Sequence, residues 1–215
     1  MSSRAQPERV DYLIAGLGNP GSEYAGNRHN VGYLVVDELA RRHRFARAKR
    51  GYKGRYAAGT IAGWPVGMLV PTTFMNNAGT GVAAALRGAH LEPDRLLVVH
   101  DEIDLPFGEL RLRYDGGHGG HNGLRSVVGL VGADFHRLRV GVGRPDSRDP
   151  EVVADWVLHD FEEPRDDVEA LVGRAADAAG VWVERGIQAA MNEFNGAGGP
   201  AVDQQYEEGR DGDPR

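Results

Sequence analysis

The sequence predicts a single α/β domain, with three α/β/α layers around a mixed, mostly parallel, twisted sheet. Three observations predict it. Apolar runs of strand length alternate with stretches whose apolar residues recur at helical spacing, the pattern that places crossover helices between parallel strands. Residues 52–70 read instead as a hairpin, which adds antiparallel strand to the same sheet. The 215 residues are enough for one buried core without disulfide or metal support.

The elements follow in order. "DYLIAGLGNPG" (11–21) is an apolar strand running into a Gly/Asn/Pro turn. "HNVGYLVVDELARRHR" (29–44) is helical, with Val31, Leu34, Val35 and Leu39 on one face. "YKGRYAAGTIAGWPVGMLV" (52–70) turns at "AGWP". "NNAGTGVAAALRGAH" (76–90) suits a helix begun by an Asn cap. "DRLLVVHDEIDLP" (94–106) is a second apolar strand leading into an acidic loop. After "ELRLRY" (109–114) and a glycine-rich loop, "NGLRSVVGLVG" (122–132) is a short helix and "HRLRVGVGRP" (136–145) a strand. Residues 162–194 form a long amphipathic helix, with acids and Pro164 at its start. Residues 1–10 are expected to be a flexible N-terminus, 11–195 the folded domain, and 196–215, rich in Gly, Pro, Gln, Asp and Glu, a disordered acidic tail. There is no internal repeat.

Composition removes several function classes. The chain has no cysteine, which excludes disulfides, thiolate zinc sites and a Cys nucleophile. No apolar run reaches about 18 residues, and "MSSRAQPERV" lacks a signal-peptide core, so a cytoplasmic protein without membrane attachment is expected. The net charge of −6 conceals a split. Residues 1–145 hold 19 Lys+Arg against 13 Asp+Glu, whereas residues 146–215 hold 6 against 18. "RRHRFARAKRGYKGR" (41–55) carries eight basic residues and no acid. Such a run is either a solvated face or a surface for a polyanion.

Ligands of layered α/β folds bind beyond the carboxyl ends of the strands. Asn19, His29, Asn76, His100, Asp101 and the loop "GGHGGHNGL" (116–124) all fall on that rim. A dinucleotide fingerprint is formally present at Gly16, Gly18 and Gly21, but Pro20 removes an amide that the phosphate turn needs. "HGGH" offers His118 and His121 to a metal only if further ligands converge. There is neither a G-x-S-x-G elbow nor an H-E-x-x-H pattern. His29 opens a helix, whose N-terminus disfavours the imidazolium and favours a neutral base near pH 7. Were Asp101 to reach its other nitrogen, the pair would activate water, with Asn side chains stabilising an oxyanion.

Four segments carry a family resemblance: "GLGNPGSEYAGNRHNVG", "PTTFMNNAG", "HDEIDLPFGELRLRYDGGHGGHNGLRS" and "FHRLRVGVGRP". In this order, from about Leu13 to Phe194, the chain resembles the bacterial peptidyl-tRNA hydrolases. The resemblance implies cleavage of the ester between a peptide and the 3′-terminal ribose of tRNA, without metal or cofactor. It implies catalytic roles for Asn19, His29, Asn76 and Asp101. It implies substrate contacts from Tyr24, Met75, Asn76, His121 and Asn122, with His121 and Asn122 bonding the peptide backbone. Arg113 and Arg139 match positions that grip the acceptor stem near the 3′ CCA end. A monomer is expected. The chain departs from the pattern at Asn27, where Thr is usual, and at Val70, where a Lys is usual. A non-catalytic RNA-binding relative of the same fold is the alternative reading, and a nucleotide-binding oxidoreductase a third.

Overall fold

Strand β1 (Tyr12–Gly16) dictates the layering. Leu13 and Ala15 face one side of it and Ile14 the other, and all three are fully buried, so both faces need a covering layer. A computed structural model describes residues 9–147 and 149–196. Its other strands are β2 (Lys49–Gly51), β3 (Gly54–Ile61), β4 (Trp64–Pro71), β5 (Leu96–Glu102), β6 (Leu110–Tyr114) and β7 (His136–Gly141). They form one seven-stranded sheet in the order β2-β3-β4-β1-β5-β7-β6. The four central strands are parallel and the three outer ones antiparallel to their neighbours, the mixed sheet that the sequence predicts.

Helices α1 (Val31–Arg42) and α5 (Arg165–Phe194) cover one face, and α2 (Gly79–Ala89) and α3 (Asn122–Val131) the other. The chain leaves β1 for the first face and neighbouring β4 for the second. This reversal opens a crevice beyond the carboxyl ends of the two strands. Close packing sets the entry of α1: a methyl group on Gly32 would lie 2.5 Å from the carbonyl oxygens of both Leu17 and Val99.

Several expectations need correction. The hairpin 52–70 turns where expected, at Ala62–Gly63, but an additional strand, β2, pairs with β3 inside the basic run. Asn76 does not cap α2. It lies in a 3₁₀ turn (Met75–Asn77), and the amide of Gly79 is satisfied from a distance by the Ser126 hydroxyl of α3 at 3.0 Å. Helix α4 (Pro150–Leu158) was not foreseen, although Asp149 caps it, Pro150 opens it and Glu151 sits in its first turn. Val10, assigned to a flexible segment, is 3% exposed. Arg9 is exposed, residues 1–8 and 197–215 lie outside the described residues, and Gly196, the first residue of the expected tail, bridges to Leu110. Beside that bridge the Asn195 side chain donates to and accepts from the backbone of Leu112, covering the β6 edge.

Gly32→Ala should destabilise the protein by about 1–3 kcal/mol through overpacking, read from urea unfolding. Wild-type stability would show that α1 tolerates displacement from the strand ends.

Candidate active site

The centre of the crevice is a carboxylate. Asp101 is the next-to-last residue of β5, with its side chain 3% exposed, and an unpaired charge there would be costly. Two imidazoles satisfy it. His29 Nδ1–H donates to Asp101 Oδ1 at 2.8 Å, and His121 Nε2–H donates to the same oxygen at 2.9 Å. Burial alone would raise the Asp101 pKa, but the two histidines hold it well below the usual carboxylate range. For His29, burial lowers the pKa, yet the charge and hydrogen bond of Asp101 outweigh it, and the net shift is upward. The helix terminus, expected to disfavour the imidazolium, is therefore not the main influence on His29. His29 lies in a 3₁₀ turn (Arg28–Asn30) ahead of α1, and the adjacent carboxylate decides.

His121 has a different task from the one expected. Its Nδ1 accepts from the amides of Gly123 (3.1 Å) and Leu124 (3.2 Å), so it is the N-cap of α3. Both ring nitrogens are committed and none is left for a peptide backbone. It is a strut from α3 to Asp101. His100 stands beside it, with ring centroids 5.0 Å apart; its Nδ1–H donates to the Asp101 carbonyl at 2.7 Å. Complete burial pushes the His100 pKa down to about 3.

Asn19 follows β1 and is held on three sides. Its side-chain oxygen accepts from Met75 N at 2.9 Å, its own amide donates to Asn30 Oδ1 at 2.8 Å, and its carbonyl accepts from Asn30 Nδ2 at 2.9 Å. The side-chain nitrogen of Asn19 is left for a ligand. Asn30, not singled out by the sequence, thus braces the β1 turn against the turn of His29. Met75 is buried against Gly123, where a methyl group would lie 2.4 Å from its sulfur. Asn76 and Asn122 are exposed and both line the cleft, the latter's oxygen accepting from Arg125 at 2.8 Å.

The glycine loop also has a support that the sequence concealed. Arg137, 2% exposed on β7, donates to the carbonyls of Gly116 and Gly117. Burial lowers its pKa to about 10. Gly116 and Gly120 adopt φ of 125° and 84°, which favours glycine at both. The Arg113 guanidinium lies over Gly116 on an exposed strand edge, so it is open to solvent. Arg139 is less free, because its Nε donates to Glu102 at 2.8 Å.

A cleft of about 830 Å³ joins these parts, and α4 forms its far wall through Val153, Ala154, Val157 and Leu158. The attachment of α4 runs through the residues just before His29. The Arg28 guanidinium, fully buried, lies 3.8 Å from the centroid of the Trp156 ring and donates to Asp160 O at 2.7 Å. The Asn27 amide donates to Leu158 O, so this departure from the family pattern holds the end of α4. Val70, the other departure, is buried in the core on the α1 face and presents nothing to an RNA. Tyr24 lies in a separate 3₁₀ turn (Ser22–Tyr24) and is not among the residues lining the cleft. Ligand-type atoms of His29, Asp101 and His121 lie within 4.8 Å of one another, a grouping that would take a metal ion only by giving up the hydrogen bonds to Asp101. His118, paired with His121 in the sequence reading, is outside that group; its Nδ1 accepts from Gly120 N. No helix among the described residues is long and apolar enough to cross a membrane.

Residues 13–204 match the family model described as peptidyl-tRNA hydrolase. The chain is 48% identical over 191 residues to a peptidyl-tRNA hydrolase of Leifsonia xyli, covering 87% of this chain and 98% of that protein. It is 42% identical over 185 residues to one from Syntrophotalea carbinolica, covering 85% and 96%. The crystal structure of the Acinetobacter baumannii peptidyl-tRNA hydrolase superposes with a TM-score of 0.76 at 39% identity, covering 87% of this chain and 96% of that one. The matched span runs through every segment that builds the cleft, and the chain belongs to the peptidyl-tRNA hydrolase family.

Proposed function

We propose that the cleft hydrolyses the ester joining a peptide to the 3′-terminal ribose of tRNA, with His29 as general base and Asp101 as its orienting carboxylate. The hydrogen bond from His29 Nδ1 to Asp101 carries this reading, because it leaves Nε2 unprotonated and turned from the carboxylate. Nε2 takes a proton from water as the water oxygen attacks the ester carbonyl carbon. Asp101 stabilises the resulting imidazolium. The Asn19 and Asn76 amides donate to the developing oxyanion, adding no charge of their own. When the tetrahedral intermediate collapses, the bond from carbon to the ribose oxygen breaks and His29 returns the proton to that oxygen. The products are a peptide acid and free tRNA.

The apolar lining from Phe74, Ile103, Val153, Val157 and Leu158 suits a peptide, and Asn122 is placed to bond its backbone. On the RNA side, Arg113 and Arg139 are proposed to meet acceptor-stem phosphates near the 3′ CCA end. We further propose that the protein acts as a cytoplasmic monomer. A non-catalytic RNA-binding role would leave the costly burial of a charged Asp101 beside His29 without a purpose.

His29→Ala should lower kcat by about 100-fold or more, the usual scale for losing a general base. The base is active when unprotonated, so kcat/KM should fall as pH drops through a His29 pKa lying above 6.5. Asp101→Asn removes the raising influence and leaves burial, so the acid limb should move to lower pH while kcat falls less than in His29→Ala. An unmoved limb would refute the pairing. Activity should survive EDTA; loss on chelation and recovery with zinc would instead assign His29, Asp101 and His121 to a metal.

Arg113→Ala should raise KM for peptidyl-tRNA and reduce the slope of log affinity against log salt by roughly 1. Arg139→Ala should act more weakly, since Glu102 already engages its guanidinium. Equal effects from the two variants would show that the Glu102 pair opens on binding.

A further inference from the structure

The basic run 41–55 has no part in the site described above. No Asp or Glu occurs between Glu38 and Glu92, although the chain carries −6 overall. In the fold the run divides. Arg41, Arg42 and Arg55 pair with Glu38, Asp177 and Asp37. The side chains of Arg44, Arg47, Lys49, Arg50 and Lys53 are exposed and form no hydrogen bond or ion pair with any described residue. They lie on strand β2, the loop before it and the turn after it, at the sheet edge opposite β6.

Edge strands often carry a lysine to discourage pairing with other chains. One or two such charges suffice for that, and Arg44 and Arg47 precede the strand. Five unpaired like charges repel one another, and a polyanion relieves this.

The register connects this patch to the cleft. Gly51 pairs with Gly54, and Gly54 with Pro71, so the Tyr52–Lys53 turn sits at the rim where the Met75–Asn77 turn begins. The Lys53 carbonyl accepts from both the amide and the hydroxyl of Thr72. A recess of about 300 Å³ runs from Asn19, shared with the cleft, past Thr72 to Arg55. Strand β2 is three strand positions from β1, or about 14 Å at the usual spacing. That equals about four phosphates along a helical strand. Arg113 stands on β6, three positions from β1 on the other side, so the sheet has a cationic residue at each edge.

We infer that the β2 edge is a second phosphate-binding surface, which takes the body of the tRNA whose 3′ end enters the cleft. The inference rests on the proposed function for its RNA and on the unpaired charges for its location. Deacylated tRNA is the probe, so binding is read independently of hydrolysis. Replacing Arg47, Lys49 and Arg50 by Gln should raise Kd roughly ten-fold at about 0.1 M salt and flatten the salt slope by about 2 to 3. The charge-retaining set Arg47→Lys, Lys49→Arg, Arg50→Lys should keep both close to wild type. A Gln set with wild-type Kd and slope would overturn the inference and leave the edge to solvent or an acidic protein. A charge-retaining set as weak as the Gln set would overturn it too, by showing that shape and not charge matters. Wild-type turnover of peptidyl-tRNA is a separate control: its absence, with the binding pattern intact, would sink the reading of the cleft and leave the surface standing.

Discussion

A buried carboxylate is the constraint around which the site is organised. Asp101 sits near the end of a central parallel strand, where water cannot solvate it, and a lone charge in such a place would neutralise itself or unfold its surroundings. One of its oxygens accepts from two imidazoles on different segments. The first belongs to the turn before α1, the second to the turn that starts α3. Each turn in turn needs its own anchorage: Gly32 lets α1 approach the strand ends, Asn30 ties the His29 turn to β1, and Arg137 grips the glycine loop ahead of His121. Removing the charge would therefore loosen three segments and not merely one hydrogen bond.

Arg28 performs a related task one residue from His29. Its guanidinium is removed from water, stacked on Trp156 and bonded to the carbonyl of Asp160. Planar delocalised cations are the least costly charges to bury in this way, because they stack and bond at once. The arrangement ties α4, which has no fully buried residue of its own, to the turn that carries the proposed base. The position of the cleft wall and the position of His29 are thus set by adjacent residues.

Much of this was legible in the sequence, and the failures have physical causes. Strands β1, β4, β5 and β7 and helices α1, α3 and α5 declare themselves by apolar periodicity, and the motif segments converge at the strand ends as their order implies. Helix α4 escaped because it has no apolar stripe long enough to register, although its Asp-Pro-Glu start was visible. The cap of α2 was misassigned because Ser126, distant in sequence, supplies what a local Asn was expected to give. Burial of Arg28 and Arg137 has no local signal at all, since nothing in "NRHN" or "HRLRV" tells a buried arginine from an exposed one. The role of His121 was misread for a similar reason: that its Nδ1 would cap the helix it opens depends on a backbone turn built by glycines.

Three histidines surround Asp101, and the site has to distinguish among them. His100 is enclosed, with its pKa pushed to about 3, so it stays neutral wherever the protein is folded near neutrality. His121 commits Nδ1 to the two amides it caps and its Nε2–H to Asp101. Of the three, His29 combines a nitrogen free on the cleft side with a carboxylate that favours its charged form, whereas the unpartnered Nε2 of His100 is buried away from the cleft. Proton traffic in the proposed mechanism therefore has one destination. The selection does not come from the imidazoles, which are chemically identical, but from what each ring's second nitrogen touches: a helix start, a closed interior, or the cleft.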